Sequence, residues 1–258
     1  MNKKAPSGAQ AVLRAIALLK AFTLERPERD VAELSDETGL RRSTVHRLLA
    51  ALESEGLVTK EATPGRYRLG PTAASLGVRA LRSSKLHQTV HPTLEQLSNE
   101  TGETATLEVF TEGKMLILDE VLGARLIGAS PSLGTAWALH ATSTGKALLA
   151  ALSPARASEV LSTPLERFTS TTITGMTALE EELETIRRYG YAIAREELEE
   201  GYTALGAVVH VPMVEPYAAI SLGGPSARLE GKALEKLGTL VKTHADTVSK
   251  RLGFEESS

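Results

Sequence analysis

Three sets of residues in this chain have the types and spacing to do chemistry, and two of them lack their partners. Ser143 and Lys146 stand at the S-x-x-K spacing, in which one helical turn brings a lysine amine to a serine hydroxyl for acyl transfer. Hydrolases of that kind also need S-D-N and K-T-G; the first is absent, and Lys242-Thr243 is followed by His244. Read as a phosphate loop, Gly145-Lys146 requires glycine at 140 and Ser or Thr at 147, where the chain has His140 and Ala147. His87 and His91 stand at i, i+4 and could share a metal, but no H-E-x-x-H accompanies them, so a solvated helix face is the better reading. The chain contains no cysteine, which removes thiolate nucleophiles, disulfides and cysteine-ligated zinc together. No catalytic residue, metal or cofactor is expected.

The third set has its partners. Leu34, Ser35, Gly39, Leu40, Val45 and Leu48 fall at the spacing of a helix-turn-helix: a small residue in the first helix, a turn glycine, and apolar residues that lock the helices at a steep angle. The same spacing turns Arg41, Arg42, Ser43, His46 and Arg47 outward. Arginine can donate two parallel bonds to guanine, and Ser43 and Thr44 at the helix start can hold phosphate oxygens beside the positive helix end. A hairpin carrying Lys60, Arg66 and Arg68 would form a wing on the DNA backbone or in the minor groove. The plainer alternative is a pair of amphipathic helices with a solvated basic face.

The elements that must position these residues divide in two. Residues 1–80 carry a net charge of +4 and residues 81–258 one of −7, so the overall −3 conceals a basic segment joined to an acidic body. In the basic segment, Val12, Ile16, Leu19 and Ala15, Leu18, Phe22 trace a helix with one buried stripe, ended by Pro27. Two short helices then flank Thr38-Gly39-Leu40. In the hairpin that follows, Val58 and Lys60 answer Tyr67 and Arg68 across Thr63-Pro64-Gly65. Pro71 to Ser83 reads as a connecting helix. The expected domains are 1–70 for DNA, 71–84 as linker helix, and 85–258 as the body.

The body mixes helix and strand, an α+β pattern. A helix at Leu86–Glu100 precedes two strands joined at Thr-Glu-Gly, ATLEVF and MLILDEV, and another strand at Arg125–Ala129. Helices follow in STGKALLAAL and in ARASEVL after Pro154. Thr177 to Glu180 reads as a capping box opening a helix that Gly190 closes. Strands YAIA, ALGAVVHV and YAAISL precede a long C-terminal helix traced from Leu229 to Leu252. With 42% hydrophobic and 24% charged residues the chain is globular. No run approaches the ~18 apolar residues of a spanning helix, and the start MNKKAPSGAQ lacks the apolar core of a signal peptide. A cytoplasmic protein with no membrane partner is expected. The acidic run Glu196–Glu200 reads by default as a solvated surface segment, with shaping of a pocket mouth as the alternative.

The stretch from Gly8 to Gly70 resembles the N-terminal domain of the IclR family of bacterial transcription regulators. LHATSTGKALLA, RRYGYAIAREELEEGYTALGAVV and AAISLGGPSARL resemble its effector domain. The resemblance spans nearly the whole chain. It implies a winged helix-turn-helix, a linker helix and a GAF-like effector-binding domain, assembled as a homodimer or dimer of dimers on double-stranded operator DNA. It also implies an effector site at His140, Ser143 and Thr144, at Ala194, at Tyr202 and Ala204, and at Ser221 and Gly223, with Ala129, Leu133 and Trp137 on the segment before it. Members that bind small carboxylates such as glyoxylate carry aspartate, cysteine and serine where this chain has Ala194, Ala204 and Gly223. Losing three polar groups should enlarge the pocket and favour a larger, partly apolar effector, aromatic acids included. Two other classes stay open: a DNA-binding protein whose body serves only assembly, and a serine/lysine hydrolase with a DNA-binding appendage.

Overall fold

The computed structural model describes residues 9–124, 132–212 and 215–255. They form two compact units that divide after Ser83. The first contains α1 (Gln10–Lys20), β1 (Arg29–Asp30), α2 (Val31–Thr38), α3 (Arg42–Ser54), β2 (Val58–Lys60), β3 (Arg66–Leu69) and α4 (Pro71–Ser83). Helix α2 starts at a capping box: Asp30 Oδ1 accepts the Glu33 amide while Glu33 Oε2 accepts the Asp30 amide. It stops at Gly39, whose φ of +67° an L side chain rarely adopts. Ser35 Oγ donates to the Leu40 carbonyl at 2.6 Å, which ties the turn back onto α2. Leu18, Phe22, Leu34, Val45, Leu49, Val58 and Tyr67 close a small core.

Two expectations for this unit need correction. The hairpin register is Val58 with Leu69, Thr59 with Arg68 and Lys60 with Tyr67, and a third strand, β1, pairs with β3. That strand is two residues long and carries no alternation, so no sequence pattern marks it. Helix α1 buries Leu18 but leaves Val12 and Ile16 exposed, together with Leu13. Helix α4 buries none of its residues, and Leu76 and Val78 stand out from it.

The second unit runs α5 (Lys85–Thr101), β4 (Thr104–Thr111), β5 (Lys114–Val121), β6 (Ala136–Ala138), a short 3-10 turn at Leu139–Ala141, α6 (Ser143–Ala151), α7 (Pro154–Val160), α8 (Met176–Tyr189), β7 (Ala192–Arg195), β8 (Tyr202–Val209), β9 (Ala218–Pro225) and α9 (Gly231–Arg251). Its strands form one antiparallel sheet in the order β6-β5-β4-β9-β8-β7. Alternation along β9 shows how the sheet is sandwiched. Ala218, Ile220 and Leu222 join the core that holds Leu94 and Leu97 of α5 and Val241 and Val248 of α9, whereas Ala219 joins the core of α6 and α8. The unit is α+β, as its pattern predicts. The strand expected at Arg125–Ala129 lies outside the described residues, and β6 was not anticipated. The capping box at Thr177 is absent: α8 starts at Met176 after Gly175, with no side-chain cap. No helix among the described residues is long and apolar enough to cross a membrane.

Candidate functional site

Arg41, which precedes helix α3, and Arg42, Ser43, His46 and Arg47 on the helix are exposed, with Thr44 half-buried, while Val45 and Leu49 point into the core. Among the described residues, none of those three guanidinium groups pairs with a carboxylate. The wing is different. Lys60 Nζ meets Glu53 at 2.9 Å, Arg68 pairs with Glu61, and Arg66 donates to the Glu28 carbonyl at 2.7 Å and to Glu33 at 3.3 Å. Arg66 is thereby committed to holding β3 against the start of α2. Of the expected DNA-contact cations among the described residues, those without a carboxylate partner stand at the start of α3, and the wing cations would exchange a partner to meet phosphate.

In the second unit a cavity of about 410 Å³ opens between the sheet and the start of α6. This falls within the ~300–1,000 Å³ typical of ligand pockets, and is more than twice the roughly 150 Å³ that holds benzene. Two glycines let α6 approach. A Cβ at Gly206 would lie 2.8 Å from the Ser143 carbonyl carbon and the Thr144 nitrogen, and one at Gly145 would meet the Leu139 backbone at 2.2 Å. Thr142 caps the helix by accepting the Gly145 amide at 3.1 Å. Ser143 therefore opens a helix at the cavity wall, where the first N–H groups have no intrahelical partner.

Of the expected effector residues, Trp137, Ser143, Ala194, Tyr202, Ala204 and Ser221 line this cavity. The others do not. His140 is buried elsewhere, its Nε2 2.8 Å from the Glu166 carbonyl and its ring against Phe168. Thr144 lies one layer behind the wall and Leu133 is exposed, while Ala129 is outside the described residues. Gly223 faces Tyr202, whose hydroxyl would lie 2.3 Å from an added Cβ.

The three small residues form a single feature: Ala194, Ala204 and Gly223 pair in register across β7, β8 and β9, and Thr104 of β4 continues the row. The expected enlargement at Gly223 does not occur, because the Tyr202 phenol fills that space. Nor has polarity been lost. Thr104, Thr106 and Glu108 of β4, Glu120 of β5, Ser132 and Glu199 line the same cavity, and among the described residues no Lys, Arg or His does.

Glu108 is fully buried. It accepts Thr144 Oγ1 at 2.7 Å and Thr106 Oγ1 at 3.0 Å, and Thr106 lies 2.7 Å from Ser221 Oγ. When Thr106 spends its only proton on Glu108, Ser221 must donate to Thr106, so the carboxylate orients three hydroxyls. Burial pushes the Glu108 carboxyl up to about 7, against the pull of the two threonine hydroxyls. Burial also raises the Tyr202 phenol, with Glu108, Glu120, Glu199 and Glu103 adding to it. Glu120 accepts both the amide and the hydroxyl of Ser132. Sequence reasoning missed these carboxylates. Alternation of Thr104, Thr106 and Glu108 with Ala105 and Leu107 was visible, but it reads as a solvent-facing side and not as a cavity wall.

The catalytic alternative loses its lysine. Lys146 is completely buried and donates to Glu197 at 2.6 Å, Glu182 at 2.9 Å and the Ile193 carbonyl at 2.6 Å, which uses its three protons. A cation held this way cannot take the Ser143 proton. The acidic run is also not simply solvated: Glu197 is the buried partner of Lys146, Leu198 and Glu199 line the cavity, and Glu200 is exposed. His87 and His91 are partly exposed but not simply solvated: both approach the buried carboxylate of Asp119.

Residues 11–62 match the IclR helix-turn-helix domain, and residues 78–250 match the bacterial transcriptional regulator IclR C-terminal model. An HTH-type transcriptional regulator of Mycobacterium tuberculosis is 37% identical over 91% of this chain and 89% of its own length. The transcriptional repressor IclR of Escherichia coli is 31% identical over 95% of this chain and 90% of its own. Among solved structures, an IclR homolog from Microbacterium hydrocarbonoxydans complexed with 4-hydroxybenzoate superposes with a TM-score of 0.79 at 26% identity, covering 94% of this chain and 99% of that one.

Proposed function

The chain belongs to the IclR family of DNA-binding bacterial transcriptional regulators, and on that premise we propose that a small molecule in the second unit changes its affinity for operator DNA. A ligand shifts such a balance only if it binds one arrangement of the protein more tightly than the other. The observation that carries this reading is the cavity at the start of α6: it is roomy, lined by both apolar and polar side chains, and furnished with oriented hydroxyls.

The effector is larger than a two-carbon oxoacid and partly apolar, with aromatic acids as the class to test first. Trp137, Ile117, Leu122 and Ala141 supply apolar wall, Glu108 and Glu120 accept hydrogen bonds from a ligand hydroxyl, and the α6 start can take an anionic end. The related structure that holds 4-hydroxybenzoate supports trying phenolic acids. On the DNA side, Arg41, Arg42, Ser43, Thr44, His46 and Arg47 meet the major groove, and Lys60, Arg66 and Arg68 meet the backbone after exchanging their carboxylate partners. Exposed Val12, Leu13 and Ile16 of α1 with Leu76 and Val78 of α4 supply apolar surface for a homodimer or dimer of dimers. Two copies then read half-sites about one helical turn apart, or a multiple of it.

The test selects duplexes from a random pool with the full chain, then screens aromatic and aliphatic acids for thermal stabilisation and for altered duplex affinity. A ligand at 100 times its Kd should stabilise by roughly 2.7 kcal/mol. Selective duplex binding that no stabilising acid changes would return the body to a purely assembling role.

A further inference from the structure

Beyond the effector cavity, we propose that His87, His91 and Asp119 form a binding site for a divalent first-row transition metal, with zinc as the probe. His87 and His91 stand one helical turn apart on α5, so their rings stack at 5.6 Å and can offer nitrogens to one point. That point is Asp119 Oδ2 on β5: His91 Nδ1 is 2.7 Å from it and His87 Nε2 3.2 Å. The three ligand atoms lie within 4.8 Å of one another, and among the described residues no other group of three does so. Ligands on a tetrahedral zinc lie roughly 3.3 Å apart. The two distances from Asp119 to the histidines are already within about 0.6 Å of that spacing.

The surroundings match what orients metal ligands elsewhere. A ligating histidine commonly turns its other nitrogen to a carboxylate, and a ligating carboxylate is itself hydrogen-bonded. Here Glu95 Oε1 lies 3.7 Å from His91 Nε2, on the ring edge away from Asp119. The other Asp119 oxygen accepts the Glu120 amide at 2.9 Å. Two imidazoles and one carboxylate suit zinc and its neighbours in preference to calcium or magnesium, which favour all-oxygen sites. Three protein ligands leave a fourth position to water, on the side where His91 is half-exposed. The bound ion fastens α5, the first helix of its unit, to β5. Asp119 and Glu120 point to opposite faces of that strand, so the ion lies behind the wall that carries Glu120 into the cavity.

Chelator-stripped full-length protein is titrated with Zn²⁺ by calorimetry and with Co²⁺ by visible absorption. The expected result is one ion per chain, with affinity reduced more than ~100-fold in Asp119→Asn and in His91→Gln, and about 10-fold in Glu95→Gln, the size of second-layer effects. Melting curves without metal confirm that each variant is folded; should Asp119→Asn unfold, the half-exposed His91 carries the test. Failure of the wild type to bind either ion saturably, or unchanged affinity in folded His91→Gln, overturns the site.

Discussion

The two units hold their functional groups in opposite ways. On the first, the unpaired cations proposed to face DNA, Arg41, Arg42 and Arg47, stand exposed along a few residues at the start of one helix. In the second, the cavity is assembled from β4, β5, β6, β7, β8, β9 and α6, and its polar groups are bonded to one another beneath the surface. A local, exposed site separates binding from stability, whereas a buried, dispersed one couples them. That difference sets what each substitution should do.

The largest effect is expected at Lys146. Lys146→Met strands Glu197 without its cation and should cost roughly 3–5 kcal/mol, the usual penalty for breaking a buried ion pair. Urea unfolding measures it, and a loss under 1 kcal/mol would break the claim that this unit is fastened from within. Next comes Glu108. Its folded carboxyl holds its proton up to about pH 7, while the unfolded one releases it near its ordinary value of 4.5. The folded state therefore binds more protons between those values, and stability falls as pH rises through that window, by up to roughly 3 kcal/mol, then levels off. Glu108→Gln should flatten the difference between urea melts at pH 5 and pH 8; an undiminished slope would assign it to another group. The smallest effect on folding belongs to Arg47→Ala. It should weaken duplex binding by roughly 1–3 kcal/mol while moving unfolding by less than about 0.5 kcal/mol. Equal losses in both measurements would erase the contrast between the units.

The same contrast explains what could be read before any coordinates. The helix-turn-helix was legible because Leu34, Gly39, Val45 and their neighbours carry its geometry within fifteen residues. The amphipathic trace of α9 was legible for the same reason. The cavity was legible only in part. Ser143, Ala194, Tyr202 and Ser221 came from family resemblance, while Glu108 and Glu120 are polar strand residues whose burial depends on strands and loops far away in the chain. The placement of His140 and the default reading of the acidic run missed on the same ground: Glu166 and Lys146, the groups that hold them, are distant in sequence. Asp119, 28 residues from His91, turned a helical pair into a three-ligand cluster that spacing alone could not reveal.

The contact between Gly223 and the Tyr202 hydroxyl has a consequence for how this protein can diversify. Because the phenol occupies the space that a side chain at 223 would need, the volume there belongs to the pair and not to either residue. A Gly223→Ser change, made alone, collides with the ring; a Tyr202→Ala change, made alone, opens a hollow. A side chain at 223 has room only where the Tyr202 ring moves aside, so exchange of the proposed effector through this row draws on both positions together.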